Sequence, residues 1–151
     1  MSLKRSINHI SSTLFSVVGY GTFIIHGHWK SKHNVEVCLV RNYIRILPEG
    51  NWFPYVLPSK NSSFWALKFD VNEQELSELD GYEGVHIELF KRIEIEIILK
   101  NNETSKAFIY VPTEKTILSQ KLTPDLDKTD SWKEIIKKFP EIVKKFPDLV
   151  L

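Results

Sequence analysis

The chain has 151 residues, with 20 lysines and arginines against 19 aspartates and glutamates, for a formal net charge of +1. That length suits one domain with a substantial core, and the charge balance argues against both a nucleic-acid footprint and an acidic tail. Its one cysteine, Cys38, has no partner for an internal disulfide; within "VEVCLV" it reads as a small core residue of a protein from a reducing compartment.

Residues 1–13 read as an N-terminal extension whose order the sequence leaves open, and 14–151 as a single domain. The N-terminus has positive charge but no sustained apolar run, and no later apolar stretch approaches a membrane span, so a soluble cytoplasmic protein is expected. "TLFSVVGYG" is β-branched and aromatic and ends at two glycines flanking a tyrosine, as a buried strand running into a sharp turn would. "NVEVCLVRNYIRIL" alternates as a long strand or bent pair, and "PEGNWFPYVLPS", with three prolines and a glycine, reads as a hairpin or irregular edge segment. "SFWALKFDV" is expected as a separate strand.

In "NEQELSELDGYEG", Asn72 and Glu75 form a capping box that starts a short helix ending near Gly81. "HIELFKRIEIEIIL" follows as a strand, with Ile93, Ile95 and Ile97 on one face and Arg92, Glu94 and Glu96 on the other. The turn "NNETSK" and the strand "AFIYVP" complete an antiparallel hairpin, which favours an α+β arrangement over a doubly wound parallel one. The tail holds a tandem "KKFPEIV", "KKFPDLV". Ser131 with Glu134 offers another capping box, Pro140 and Pro147 suit the first turns of successive helical pieces over 131–146, and Phe139, Ile142, Val143 and Phe146 are expected to dock on the body.

Few groups offer chemistry. His26, His28 and His33 lie close together, but their spacing lacks the tight pairs of a structural zinc site, and a polar loop accounts for them better than metal. No nucleophile elbow occurs, and "GYG" is too short for a dinucleotide fingerprint. Two features remain. The strand end Tyr20-Gly21-Thr22-Phe23 can turn successive backbone amides outward as an anion cradle, because glycine tolerates positive φ and leaves room for close approach. Glu83 stands at a helix-to-strand junction, without lysine or arginine within seven residues on either side; a surface turn is the plain alternative.

Together these segments resemble a known family. "VVGYGTF" is similar to the strand-and-loop "YGTL" or "YGSN" signature of the gamma-glutamylcyclotransferase-like family, and "ELDGYEG" to its "LD..EG" segment. "GNWFP", "FKR" in place of a Tyr-x-Arg, and "AFIYV" keep the family's order, so the resemblance covers about residues 14–112. It implies an α+β fold built on a small mixed, largely antiparallel barrel-like sheet with a few short helices. It also implies that Glu83 is the proton-transfer residue, that Tyr20, Gly21, Thr22 and Phe23 hold the γ-glutamyl moiety, and that Tyr82 and Phe90 wall the site.

The implied substrate is a small γ-glutamyl amine or peptide, released as 5-oxoproline and a free amine, with no metal, cofactor, nucleic acid or membrane required; the oligomeric state is left open. Because the substrate's own α-amino group attacks its γ-carbonyl, no enzyme nucleophile is needed, and folding the substrate into position is worth up to about 7–11 kcal/mol. Against an ordinary carboxylate, the proton transfer from the ammonium is uphill by roughly 5 kcal/mol, so apolar walls from Tyr82, Phe90 and Phe23 are expected to raise Glu83. Phe90 stands where the family carries tyrosine, and Trp65-Ala66 where it often has glycine. If Trp65 or Phe90 plugs the pocket, the alternative is a non-catalytic member of the same fold that binds a small metabolite or a protein, with the C-terminal repeat as its contact surface.

Overall fold

The computed structural model describes residues 13–151; the extension expected over 1–13 falls outside this range but for its last residue. Five strands, β1 (Phe15–Gly19), β2 (His33–Ile46), β3 (Tyr55–Val71), β4 (Phe90–Leu99) and β5 (Thr104–Pro112), close into a barrel in the order β1-β3-β2-β4-β5. All neighbours are antiparallel except β1 and β5, which meet in parallel at Val17 and Phe108. This is the mixed, largely antiparallel barrel expected. Among the described residues no helix is long and apolar enough to cross a membrane.

Period-two alternation sorts the strand residues into two layers. Val18, Val40, Val56, Ala66, Ile97 and Ile109, at least one from each strand, form the inner core, with Ile93 and Ile95 packed against it. The intervening Val37 and Leu67 face outward and are covered by the C-terminal pieces α4 (Ser131–Ile136), α5 (Pro140–Lys145) and the 3-10 turn Pro147–Val150 through Trp132, Ile136, Ile142, Phe146 and Leu149. Phe139 is partly buried in the same cluster, and Val143 is half-buried. Both prolines open their helical pieces, as expected.

The chain departs from the sequence expectations in three places. β3 runs unbroken through Pro58, because its register against β2 shifts between Arg41 and Tyr43 and the extra residues bulge out. Asn42 and Asn61 take left-handed φ of 66° and 68° at this bulge, and the Asn42 side chain accepts the Asn61 amide at 3.2 Å. Residues 86–89 are not strand, since a 3-10 turn, Val85–Ile87, precedes β4. Ser131 does not cap its helix. Its amide and hydroxyl instead donate to Asp127 at 3.0 and 2.9 Å, and Glu134 pairs with Lys137.

Helix α2 (Glu73–Tyr82), between α1 (Thr22–Ile25) and α3 (Glu114–Gln120) in chain order, carries the expected capping box. Asn72 Oδ1 accepts the Glu75 amide at 2.8 Å, and Glu75 Oε1 accepts the Asn72 amide at 2.9 Å. Asn72→Ala is therefore expected to destabilise the protein by about 1 kcal/mol, measured by urea unfolding.

Candidate active site

The β1 strand ends at Gly19, where a Cβ would lie 2.3 Å from the Phe23 ring. Only a glycine lets that ring fold back and stack on Phe69, with centroids 4.2 Å apart. At Gly21 a Cβ would press on Pro54 at 3.0 Å. Its φ is −124°, so of the two properties expected of glycine there, room for close approach is used and positive φ is not. The amides of Gly21, Thr22 and Phe23 find no backbone acceptor among the described residues, as befits the opening turn of a helix.

The carbonyl side of this loop is pinned from within. Arg45, buried on β2, donates from Nη1 to the Tyr20 carbonyl at 2.9 Å and holds Asp130 in a fork, Nε to Oδ1 at 2.9 Å and Nη2 to Oδ2 at 2.8 Å. The guanidinium also lies 5.0 Å over the Phe64 ring. The Tyr20 hydroxyl donates to the Tyr110 carbonyl at 2.7 Å. These bonds fix the tyrosine without engaging the amides that follow it.

Glu83 closes α2 from the other side. Its amide donates to the Leu79 carbonyl at 2.9 Å, and Gly84 follows in the left-handed conformation at φ 71°, the usual way a helix stops and the chain turns away. A Cβ on Gly84 would also sit 3.1 Å from Leu89. Gly84→Ala should cost about 1 kcal/mol or more and displace Glu83, read as a lowered thermal midpoint. One turn back, Asp80 accepts both Arg92 Nη1, at 2.9 and 3.0 Å, and the Tyr110 hydroxyl, at 2.7 Å. Arg92 further lies over Phe108 at 4.8 Å. The end of the helix is thus tied to β4 and β5, and Glu83 is held with it.

Both halves open on one cavity of about 800 Å³. Tyr20, Gly21, Thr22, Phe23, Tyr82, Glu83 and Phe90 all line it, so the structure brings together the seven residues that the sequence assigned to the site. The wall around Glu83 is apolar, and burial alone pushes its carboxyl up to about 7. Burial first, and the Glu83 charge second, also drive the Tyr20 hydroxyl well above its ordinary range. Phe90 stacks on Tyr55 at 5.7 Å and forms wall without filling the cavity. Trp65 does not line it, packing instead with the cluster around Trp29 and Trp132.

Other lining residues come from outside the segments assigned to the site. Trp52, Phe53 and Pro54 arrive from the β2–β3 loop, Tyr110 from β5, and His28, Ser31 and Lys32 from the turn after α1 to face Glu75 and Glu78 on α2. Lys32 reaches Glu75 at 3.8 Å and joins the two walls at that end. "GNWFP" in the family resemblance was the one available pointer to the aromatic group; the pairing of Arg92 with Asp80 had none.

Residues 17–134 match the sequence model of the family described as gamma-glutamyl cyclotransferase, AIG2-like. Among solved structures the chain is similar to an Arabidopsis thaliana protein determined in solution, with TM-score 0.61 and 21% identity, over 90% of this chain and 91% of that one. It is also similar to a Mus musculus AIG2-like protein, at TM-score 0.57 and 16% identity over 76% and 87%. A yeast gamma-glutamyl cyclotransferase specific to glutathione gives TM-score 0.58 and 9% identity over 90% and 89%. At such identities the likeness is one of fold. No curated protein matches the sequence closely enough to count as a relative.

Proposed function

The chain belongs to the gamma-glutamyl cyclotransferase, AIG2-like family, and from that membership we propose that it cyclises a small γ-glutamyl amine or peptide, releasing 5-oxoproline and an amine. The observation that carries this function is one cavity lined both by the half-buried carboxylate of Glu83, which has no ion-pair partner among the described residues, and by a loop whose amides find no backbone acceptor among them.

The reaction asks little more of the protein. The loop Gly21–Phe23 binds the α-carboxylate of the γ-glutamyl group, because amides without partners are the anion cradle available in the cavity. Phe90, buried against Tyr55, excludes water beside the reacting carbons. Glu83 takes a proton from the substrate's ammonium, the freed amine attacks the γ-carbonyl to close the five-membered ring, Glu83 returns the proton to the departing nitrogen as the carbon–nitrogen bond breaks, and the ring nitrogen then sheds its second proton to the regenerated carboxylate, from which it passes to the released amine. With Glu83 near 7 and an α-amino group near 8, the first transfer is uphill by only about 1.4 kcal/mol. Burial thus removes most of the mismatch expected of an ordinary glutamate. The missing hydroxyl at Phe90 deepens the apolar wall and strengthens this effect.

Purified protein incubated with a panel of γ-glutamyl amines and dipeptides is expected to form 5-oxoproline, followed by mass spectrometry. No product from any member would favour a metabolite-binding module. Nothing in the cavity supports that alternative over catalysis, since neither Phe90 nor Trp65 plugs it.

A further inference from the structure

Resting on the cyclotransferase function just proposed, we infer that the leaving amine carries an apolar or aromatic substituent, held at the cavity mouth between Trp52 and Tyr82 over Leu89. These three side chains line the same cavity as Glu83, yet they are 66%, 68% and 44% exposed. Large apolar groups left singly in water are ordinary. Three that are exposed and line the same cavity are a different matter, because exposed apolar surface beside a pocket marks a binding surface. Other exposed leucines, such as Leu118 and Leu126, do not line this cavity.

Trp52 is also the outer member of a connected aromatic wall. Its ring meets Phe53 edge-on at 4.8 Å, Phe53 meets Tyr55 at 5.2 Å and Phe90 at 6.5 Å, and Phe90 reaches the cavity beside Glu83. Leu89 packs over Gly84, the residue after Glu83. An amine leaving from a nitrogen that Glu83 has just protonated therefore departs along aromatic and aliphatic surface. The lining also offers charge of both signs in Lys32, Glu75 and Glu78, but Lys32 pairs with Glu75 at 3.8 Å and Glu78 accepts Gln74 Nε2 at 3.5 Å. Once the Glu83 carboxylate and the loop amides hold the γ-glutamyl group, the exposed apolar side chains are the surface left for the amine.

The test is a series of γ-glutamyl amides that differ only in the amine: methylamine, butylamine, phenethylamine and, as the charged comparator, the ε-amine of lysine. The ratio kcat/KM is expected to rise along the first three, with phenethylamide at least on the order of tenfold above methylamide, the range a hydrophobic subsite supplies. Trp52→Ala should flatten the rise, Trp52→Phe should keep most of it, and Leu118→Ala, on a different surface, should leave it intact. Equal rates across the series, a preference for the lysine conjugate, or a slope unmoved by Trp52→Ala would overturn the apolar subsite while leaving the cyclotransferase in place. Absence of 5-oxoproline from every amide would overturn the cyclotransferase itself, and the subsite with it.

Discussion

Glu83→Gln is expected to lower kcat on the best γ-glutamyl substrate by about 10²–10⁴-fold, the usual worth of a positioned acid–base group, and to make the protein more stable. The two effects share a cause. Burial raises the carboxyl from 4.5 to about 7, so the folded protein holds the Glu83 proton more tightly than the unfolded chain does. That contribution to stability is fully present below about pH 4.5 and is lost as pH rises towards 7. Above pH 7 the charged form carries the whole penalty, of order 3 kcal/mol for a rise of this size. Glutamine removes the charge but keeps a buried polar amide, so the gain at pH 8 is expected at about 1–3 kcal/mol, shrinking to near zero by pH 4.5. Urea unfolding of both proteins at pH 4.5, 6 and 8 checks the trend. In the wild type, kcat/KM should fall roughly tenfold per pH unit below 7 as Glu83 takes up its proton. Full activity in the glutamine variant, or equal stability of the two proteins at pH 8, would remove Glu83 from the role assigned to it.

The second large effect is expected at Asp130. Its fork with Arg45 spans 85 positions of sequence, and the guanidinium is buried. Asp130→Ala leaves that charge in the interior without a counter-charge, facing carbonyl oxygens and the Phe64 ring, and breaking a buried pair from one side costs about 3–5 kcal/mol. Asp130→Asn keeps an acceptor, and it keeps a residue that tolerates the left-handed φ of 51° found there, so its loss should be clearly smaller. Equilibrium denaturation measures both. Because the same guanidinium holds the Tyr20 carbonyl, KM for γ-glutamyl substrates should rise in Asp130→Asn. A loss below about 1 kcal/mol in Asp130→Ala would mean that the pair does not anchor the loop.

What was legible in the sequence was local. The Asn72–Glu75 capping box involves residues three apart, and the "RIEIEI" alternation declares its inner face without reference to any neighbour. β3 was misjudged because proline and a polar run look like a break, and only the partner strand shows that the surplus is bulged out at Asn42 and Asn61. Ser131 was misjudged because a better acceptor, Asp127, lies four residues upstream. That Glu83 and the Tyr20 loop face one another, 63 positions apart, came only from family resemblance; composition and periodicity are silent on it. The ties that hold them, Arg45 to Asp130 and Asp80 to Arg92 and Tyr110, join residues with no common pattern.

The barrel has two narrow seams. β1 meets β5 in register at the single pair Val17 and Phe108, and β2 meets β4 only at Cys38 with Leu99 and Leu39 with Ile98. The molecule is therefore two ribbons, β1-β3-β2 and β4-β5, zipped lightly along both borders. The amide loop rides on the first ribbon, and the carboxylate is strapped to the second through Asp80. Breathing of the borders is then the motion that widens or narrows the gap between them, with the Tyr20 hydroxyl on the Tyr110 carbonyl as the rivet. Amide hydrogens along β1 should exchange with solvent sooner than those deep in the β2–β3 ladder, and an occupant spanning both ribbons should slow them.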